Sequence, residues 1–172
     1  MGGPGLAVLP ITVLGDAVLR QRAKRVPQVD GSIQLLVENM IDTMREADGV
    51  GLAAPQVGIP LRVVVIGIPG EEVITLINPE IVKRSGERRV TEGCLSVPGY
   101  WAEVTRSVSV TAKGRDLQGR QVRIKAKDDL LAQALEHEID HINGMLYIDH
   151  LESLDELRKV APESEEEESA EL

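Results

Sequence analysis

An α+β fold, with antiparallel β-strands around a central metal-binding helix carrying an H-E-x-x-H motif, is what this sequence predicts. The strands show first as two β-branched runs, residues 61–68 and 71–82, separated by Pro69-Gly70. Residues 107–126 then alternate apolar and polar side chains around Gln118-Gly119, which reads as a hairpin. The helix shows as a capped segment over residues 130–143 that contains His137-Glu138-Ile139-Asp140-His141.

Taken in order, residues 6–14 form an apolar run that reads as an early strand, and residues 16–26 are too mixed to assign. From Ser32, the residues Ile33, Leu36, Val37, Met40, Ile41 and Met44 recur at three- and four-residue steps, an amphipathic helix that Asp30 or Ser32 caps and Gly49 ends. Residues 49–60 hold three glycines and two prolines, which predicts an ordered loop without regular structure. Strand, turn and strand follow, then an unassigned segment over 88–106, then the hairpin. Asp128 or Asp129 caps the second helix, Gly144 ends it, and Ser153 with Glu156 has capping-box spacing for a short last helix.

The 172 residues suit one domain and one core. Residues 1–162 read as a single domain, and residues 163–172 as a disordered acidic tail. Hydrophobic residues at 42% and charged residues at 27% exclude wholesale disorder. Trp101, Tyr100 and Tyr147 are the only aromatics, which removes the stacking platforms of single-strand nucleic acid binders. The net charge of -9, six acidic residues of which lie in the tail, argues against a phosphate-binding surface and so against DNA as a partner. Cys94 is the only cysteine, so no intrachain disulfide forms and a reducing, cytoplasmic setting is expected. No apolar run approaches membrane-spanning length, and the early run lacks a preceding Lys or Arg, so neither membrane nor export signal is expected.

On a helix, His141 falls about 40° from His137 and Glu138 about 100° from it, toward the apolar stripe of Leu131, Leu135, Ile139 and Ile142. Leu130 and Ala134 lie beside the histidines, while Gln133, Glu136, Asp140 and Asn143 take the opposite arc. Two inward histidines and an inward glutamate are costly to bury unpaired, and a cation resolves that cost, with neutral imidazoles as ligands and the carboxylate handling a proton of water. A third ligand is needed. Tyr147 stands where an elongated zinc-protease motif would place a third histidine, and His150 lies beyond the end of the helix. Cys94, between Gly93 and Leu95, is the strong candidate, with Glu152 and Glu156 as the alternatives.

Three segments in order resemble the peptide deformylase family. Its G-x-G-x-A-A-x-Q motif appears at residues 49–56, its E-G-C-L-S at residues 92–96 and its H-E-x-D-H at residues 137–141, and the likeness runs from Gly15-Asp16 to Asp149. The resemblance implies removal of the formyl group from the N-terminal formylmethionine of nascent bacterial polypeptides, releasing formate. It implies Cys94, His137 and His141 as metal ligands, Glu138 as the proton carrier, and Gln56 with the Leu95 backbone N–H as the oxyanion hole. Val50, Gly51 and Gly93 would pair with substrate as with an added strand, and Leu130 and Ala134 would line the methionine pocket or simply pack in the core. One divalent ion is implied, Fe²⁺ natively, with Zn²⁺, Ni²⁺ or Co²⁺ as substitutes. The ribosome is an implied contact, for which Arg158 and Lys159 offer a basic face.

Ala17 stands where the family commonly has proline, Glu136 where it often has glutamine, and Trp101 where many members carry arginine seven residues after the cysteine. Two other readings stay open at this point, an H-E-x-x-H zinc endopeptidase and a non-catalytic peptide-binding relative.

Overall fold

Asp30 caps the first helix, α1 (Gly31–Glu46), its Oδ1 accepting from the N–H groups of Ser32 and Ile33 at 3.0 and 3.2 Å. The computed structural model describes residues 7–161, so the expected tail at 163–172 lies outside the described residues. Asp48, with φ 55°, takes the left-handed position after α1 that the sequence suggested for Gly49. A Cβ on Gly49 would meet Leu95 Cδ1 at 2.7 Å, so the end of that side chain would have to shift to admit one.

Residues 49–60, expected to lack regular structure, contain strand β1 (Gly51–Ala53) and a 3₁₀ turn over Ala54–Val57. The strand forms because β2 (Val63–Ile66) supplies an antiparallel partner, with Gly51 opposite Ile66. β3 (Ile74–Ser85) pairs with β2, as the two β-branched runs predict, and continues to β6 (Ser109–Arg115) and β7 (Gln121–Lys127). The resulting five-stranded sheet has the order β1-β2-β3-β6-β7. The unassigned segment is a second hairpin, β4 (Arg88–Cys94) and β5 (Val97–Arg106), joined by β8 (Arg158–Lys159) in the order β4-β5-β8. Among the described residues, β1 and β4 are therefore edge strands of two different sheets.

The early run is extended but forms no ladder. Thr12 and Leu14 donate their backbone N–H groups to Gln56 O and Ser96 O at 2.7 and 2.8 Å, tying the chain to the two loops beneath it. The expected last helix is one 3₁₀ turn, Leu154–Glu156, with the Ser153/Glu156 capping box in place.

Helix α2 (Leu130–Ile142), capped by Asp129 rather than Asp128, lies on one face of the larger sheet. It packs Leu135, Ile139 and Ile142 on Val64, Ile66, Leu76, Val110, Ala112 and Ala126. Helix α1 covers part of the other face, where Ile33, Val37, Met40 and Met44 meet Leu52, Val63, Val65 and Ile77. Burial on both faces explains why β2 reads Val-Val-Val-Ile rather than alternating. The core thus divides into clusters on either side of the sheet, with a third formed by Cys94, Val97, Ala102, Val104, Leu146, Tyr147 and Ile148 under the smaller sheet.

Candidate metal centre and hydrolytic site

Every residue of α2 from Ala132 to Ile142 is buried, so the polar arc that sequence places opposite the histidines is enclosed too. A helix buried all round must satisfy its polar groups within the protein. On that opposite arc it does. Glu136 accepts from Ser107 N and Oγ at 2.7 and 3.0 Å and from Arg84 Nε at 3.0 Å. Asp140 Oδ2 accepts from Arg106 Nη1 and pairs with His150 Nε2, each at 2.8 Å. Gln133 Nε2 donates to Thr91 O at 3.0 Å and to Glu92 Oε2 at 3.2 Å.

The histidine arc is different. Cys94 Sγ, at the end of β4, lies 3.3 Å from His141 Nε2, and one donor atom from each of Cys94, His137 and His141 falls within 4.8 Å of the others. All three side chains are buried, as is Glu138. Among the described residues, His137 Nε2, both carboxylate oxygens of Glu138 and His141 Nδ1 have no hydrogen-bond partner. Tyr147, which sequence places at the failed third-histidine position, stacks on His137 with ring centroids 6.3 Å apart.

Two neighbours fix the donors' orientation. Glu92 Oε1 accepts from His137 Nδ1, which turns Nε2 toward Cys94 and His141. Arg106 in turn grips both oxygens of Glu92, with Nε 3.0 Å from Oε2 and Nη2 on Oε1. Burial alone would push Glu92 up, but the positive charges of His137 and Arg106 hold its carboxyl well below the usual range. Burial likewise disfavours a His137 cation, yet Glu92 and Glu138 raise its pKa well above the ordinary value. The surroundings thus favour positive charge at this point. A divalent cation supplies that charge, and displacing a proton is how imidazole ligands bind metal. Burial lowers the His141 pKa and keeps its ring neutral, the form a ligand needs. The orphaned atoms, the favoured positive charge and the Cys-His-His donor set together fit a transition metal.

Burial pushes the Glu138 carboxyl up to about 7. Gly51 makes room for it, since a Cβ on Gly51 would overlap Glu138 Oε2. The Gln56 amide is set by its own oxygen, which accepts from Ala53 N at 2.9 Å. Its Nε2 then points at Ser96 Oγ, 3.1 Å away, and at Cys94 Sγ, 3.6 Å away. Leu95 follows the cysteine directly. Gly93 is buried within edge strand β4 and Val50 just before β1, where the Val50 carbonyl already accepts from Gly67 N at 2.7 Å. Leu130 and Ala134 pack into the cluster between α2 and the sheet.

Neither alternative ligand joins this group. Glu152 is exposed and outside the group, and Glu156 is occupied by the backbone N–H groups of Glu152 and Ser153 at 2.8 and 3.0 Å; His150 in turn faces Asp140. Sequence reasoning left Arg106 without a role and quoted Glu92 only as a motif letter. The signal for Arg106 was present: it follows Ala102 and Val104 at alternating positions, so it points inward from β5.

Fold and site together define the class as a metallohydrolase, in which a buried helix brings two histidines and a glutamate beside the cysteine at a strand end, a group that could hold a metal ion. A family model described as polypeptide deformylase matches residues 8–157. A peptide deformylase of Dehalococcoides mccartyi strain CBDB1 is 56% identical over 161 residues, 93% of this chain and 96% of the relative. One from Thermomicrobium roseum is 47% identical over 169 residues, 94% and 96% of the two chains. The crystal structure of a peptide deformylase from Legionella pneumophila superposes with a TM-score of 0.83 at 47% identity, covering 87% of this chain and 89% of that one. The chain belongs to the polypeptide deformylase family, and with it to the hydrolases that remove the N-formyl group from nascent polypeptides.

Proposed function

We propose that this chain hydrolyses the formyl group from N-terminal formylmethionine with Cys94, His137 and His141 as metal ligands and Glu138 as the proton carrier. The observation that carries the proposal is the unpaired Glu138 carboxylate, buried beside three metal donors that lie within 4.8 Å of one another. Cys94, His137 and His141 would hold a divalent ion, which would supply Lewis-acid polarisation of the formyl carbonyl and a water acidic enough to be a nucleophile near neutral pH. Glu138 accepts the proton of the attacking water and hands it to the leaving amine, and its burial with neither oxygen engaged leaves it free for both tasks. Gln56 Nε2 and the Leu95 N–H stabilise negative charge developing on the formyl oxygen.

The edges of β1 and β4 receive the peptide as an added strand through Val50, Gly51 and Gly93. Leu130 and Ala134, beside the histidines on α2, belong to the methionine side of the site. Fe²⁺ is the proposed native ion, with Zn²⁺, Ni²⁺ and Co²⁺ accepted by the same soft and borderline donors. The proposed setting is the bacterial cytoplasm. Residues 1–162 are proposed as the catalytic unit, and residues 163–172 as a tail outside catalysis. The match of the deformylase family model to residues 8–157 favours this reading over the zinc endopeptidase.

The test is anaerobic loading with Fe²⁺, followed by assays on formyl-Met-Ala, acetyl-Met-Ala and an internally cleavable peptide. Formate release from the first alone, together with loss of bound metal in Cys94→Ala, is the expected result. Equal rates on formyl and acetyl substrates, or one equivalent of metal retained by Cys94→Ala, would overturn the assignment.

A further inference from the structure

The sheet is covered unequally. Helix α2 spans one face, but on the other α1 covers β1, β2 and the start of β3 as far as Ile77, and among the described residues no helix covers the outer face of the rest of β3, β6 and β7. The registers Lys113↔Arg123, Thr111↔Lys125, Ser109↔Lys127 and Arg115↔Gln121 put these side chains on one face, opposite the buried Val110, Ala112 and Ala126. Lys83 joins them across Thr111. The face therefore carries Lys83, Lys113, Arg115, Arg123, Lys125 and Lys127, against the single carboxylate of Glu80, which pairs with Lys113 at 3.0 Å. Such a concentration was hidden in a net charge of -9, and it corrects the expectation that no basic patch exists. Two concavities of about 630 and 380 Å³ lie on it and share Arg123.

We infer that this face binds the phosphate backbone of RNA, independently of base sequence. On β7 the cations Arg123, Lys125 and Lys127 recur at every second residue, a step of about 6.7 Å. That step is comparable with the separation of successive phosphates along one strand of RNA, about 6 to 7 Å. Ser85, Ser109 and Thr111 lie among the cations and offer hydroxyl donors to phosphate oxygens. Among the described residues the face has no aromatic side chain on which a base could stack, and Val82, the exposed apolar side chain that borders the larger concavity, gives little to enter a bilayer, so recognition is electrostatic and of the backbone. Choosing RNA over other polyanions rests on the proposed action on nascent polypeptides. The binding assay uses no formyl peptide, so its failure and the failure of that reading are distinguishable. The sheet separates the face from α2, so an RNA held there leaves the metal centre accessible.

The test measures retention of the full chain, loaded with metal, on a labelled duplex RNA across a salt series. Lys125→Gln/Lys127→Gln and, off the edge strand, Lys83→Gln/Lys113→Gln are compared with Arg158→Gln/Lys159→Gln, which removes the same charge from β8. Each of the first two pairs should weaken binding about tenfold at 0.15 M salt and reduce the slope of log affinity against log salt by about two. The β8 pair should leave binding within about twofold, and all three should deformylate formyl-Met-Ala like the parent. A loss confined to the β8 pair would overturn the inference, as would tighter retention by phosphatidylserine vesicles than by RNA. So would unchanged RNA binding accompanied by self-association of the Lys125/Lys127 variant, because the lysines would then serve only to guard an edge strand.

Discussion

The two arcs of α2 are equally buried and opposite in their accounts. On one, Gln133, Glu136 and Asp140 meet Thr91, Ser107, Arg84, Arg106 and His150, and each polar head finds a partner. On the other, His137 Nε2, His141 Nδ1 and the whole Glu138 carboxylate have none, within reach of a buried thiol. Burial of polar groups is therefore not the mark of the site. The mark is polar groups held in place and left unpaired, on a helix whose other side shows the protein able to pair them.

The largest expected effect breaks the unpaired arc. Glu138→Gln fills the same space but cannot carry a proton, so kcat should fall by about 10² to 10⁴ with metal content unchanged. Stability should move the other way. A carboxyl whose folded pKa is raised binds more protons folded than unfolded, so wild type loses stability as pH climbs from the ordinary carboxyl range toward 7. Urea unfolding of the metal-free proteins should therefore show the variant's advantage larger at pH 8 than at pH 5. A variant within threefold of wild type in kcat would remove Glu138 from the chemistry.

Breaking the paired arc should cost stability. Arg106 is enclosed between Glu92 and Asp140, and Arg106→Met leaves two buried carboxylates without their cation. Removing one partner of such a network typically costs about 3 to 5 kcal/mol. Metal affinity should fall as well, by about 10- to 100-fold, because Glu92 orients His137. A loss under about 1 kcal/mol in urea titration would mean that the two arcs do not differ as described.

How legible each arc was in sequence follows from the range of its interactions. His137, Glu138 and His141 are one helical turn apart, and periodicity alone put them together. The registers of α1 and of the β6–β7 hairpin were legible for the same reason, because each is set by neighbours in the chain. The paired arc depends on Arg106 reaching 14 residues back to Glu92 and 34 forward to Asp140, which no local pattern encodes. The same holds for β1, which glycine and proline content hid and which only its pairing with β2 reveals. The β4–β5 hairpin was interrupted to the eye by Gly93, Pro98 and Gly99, yet the chain accommodates them at a register shift between Gly93 and Cys94 and in the turn-side residues of β5. Cys94 reached the ligand set as a candidate of the right chemistry, and the fold supplies the proximity.

The smallest expected effect acts on both arcs at once. Asp129 Oδ1 accepts from Ala132 N at 2.9 Å and caps the end of α2 farthest from His141. Asp129→Ala removes that partner, and N-cap losses of this kind cost about 1 kcal/mol, or about 2 to 4 °C in Tm for a chain of this size. The cap touches neither donor set, and the sheet and β4 hold the helix along its length, so kcat/KM at 25 °C should stay within about twofold of wild type. That outcome would separate holding the helix from holding the site. A tenfold loss of kcat/KM in protein that remains folded and metal-loaded would mean instead that the first turn of α2, with Leu130 beside the cap, shapes the methionine side of the site directly.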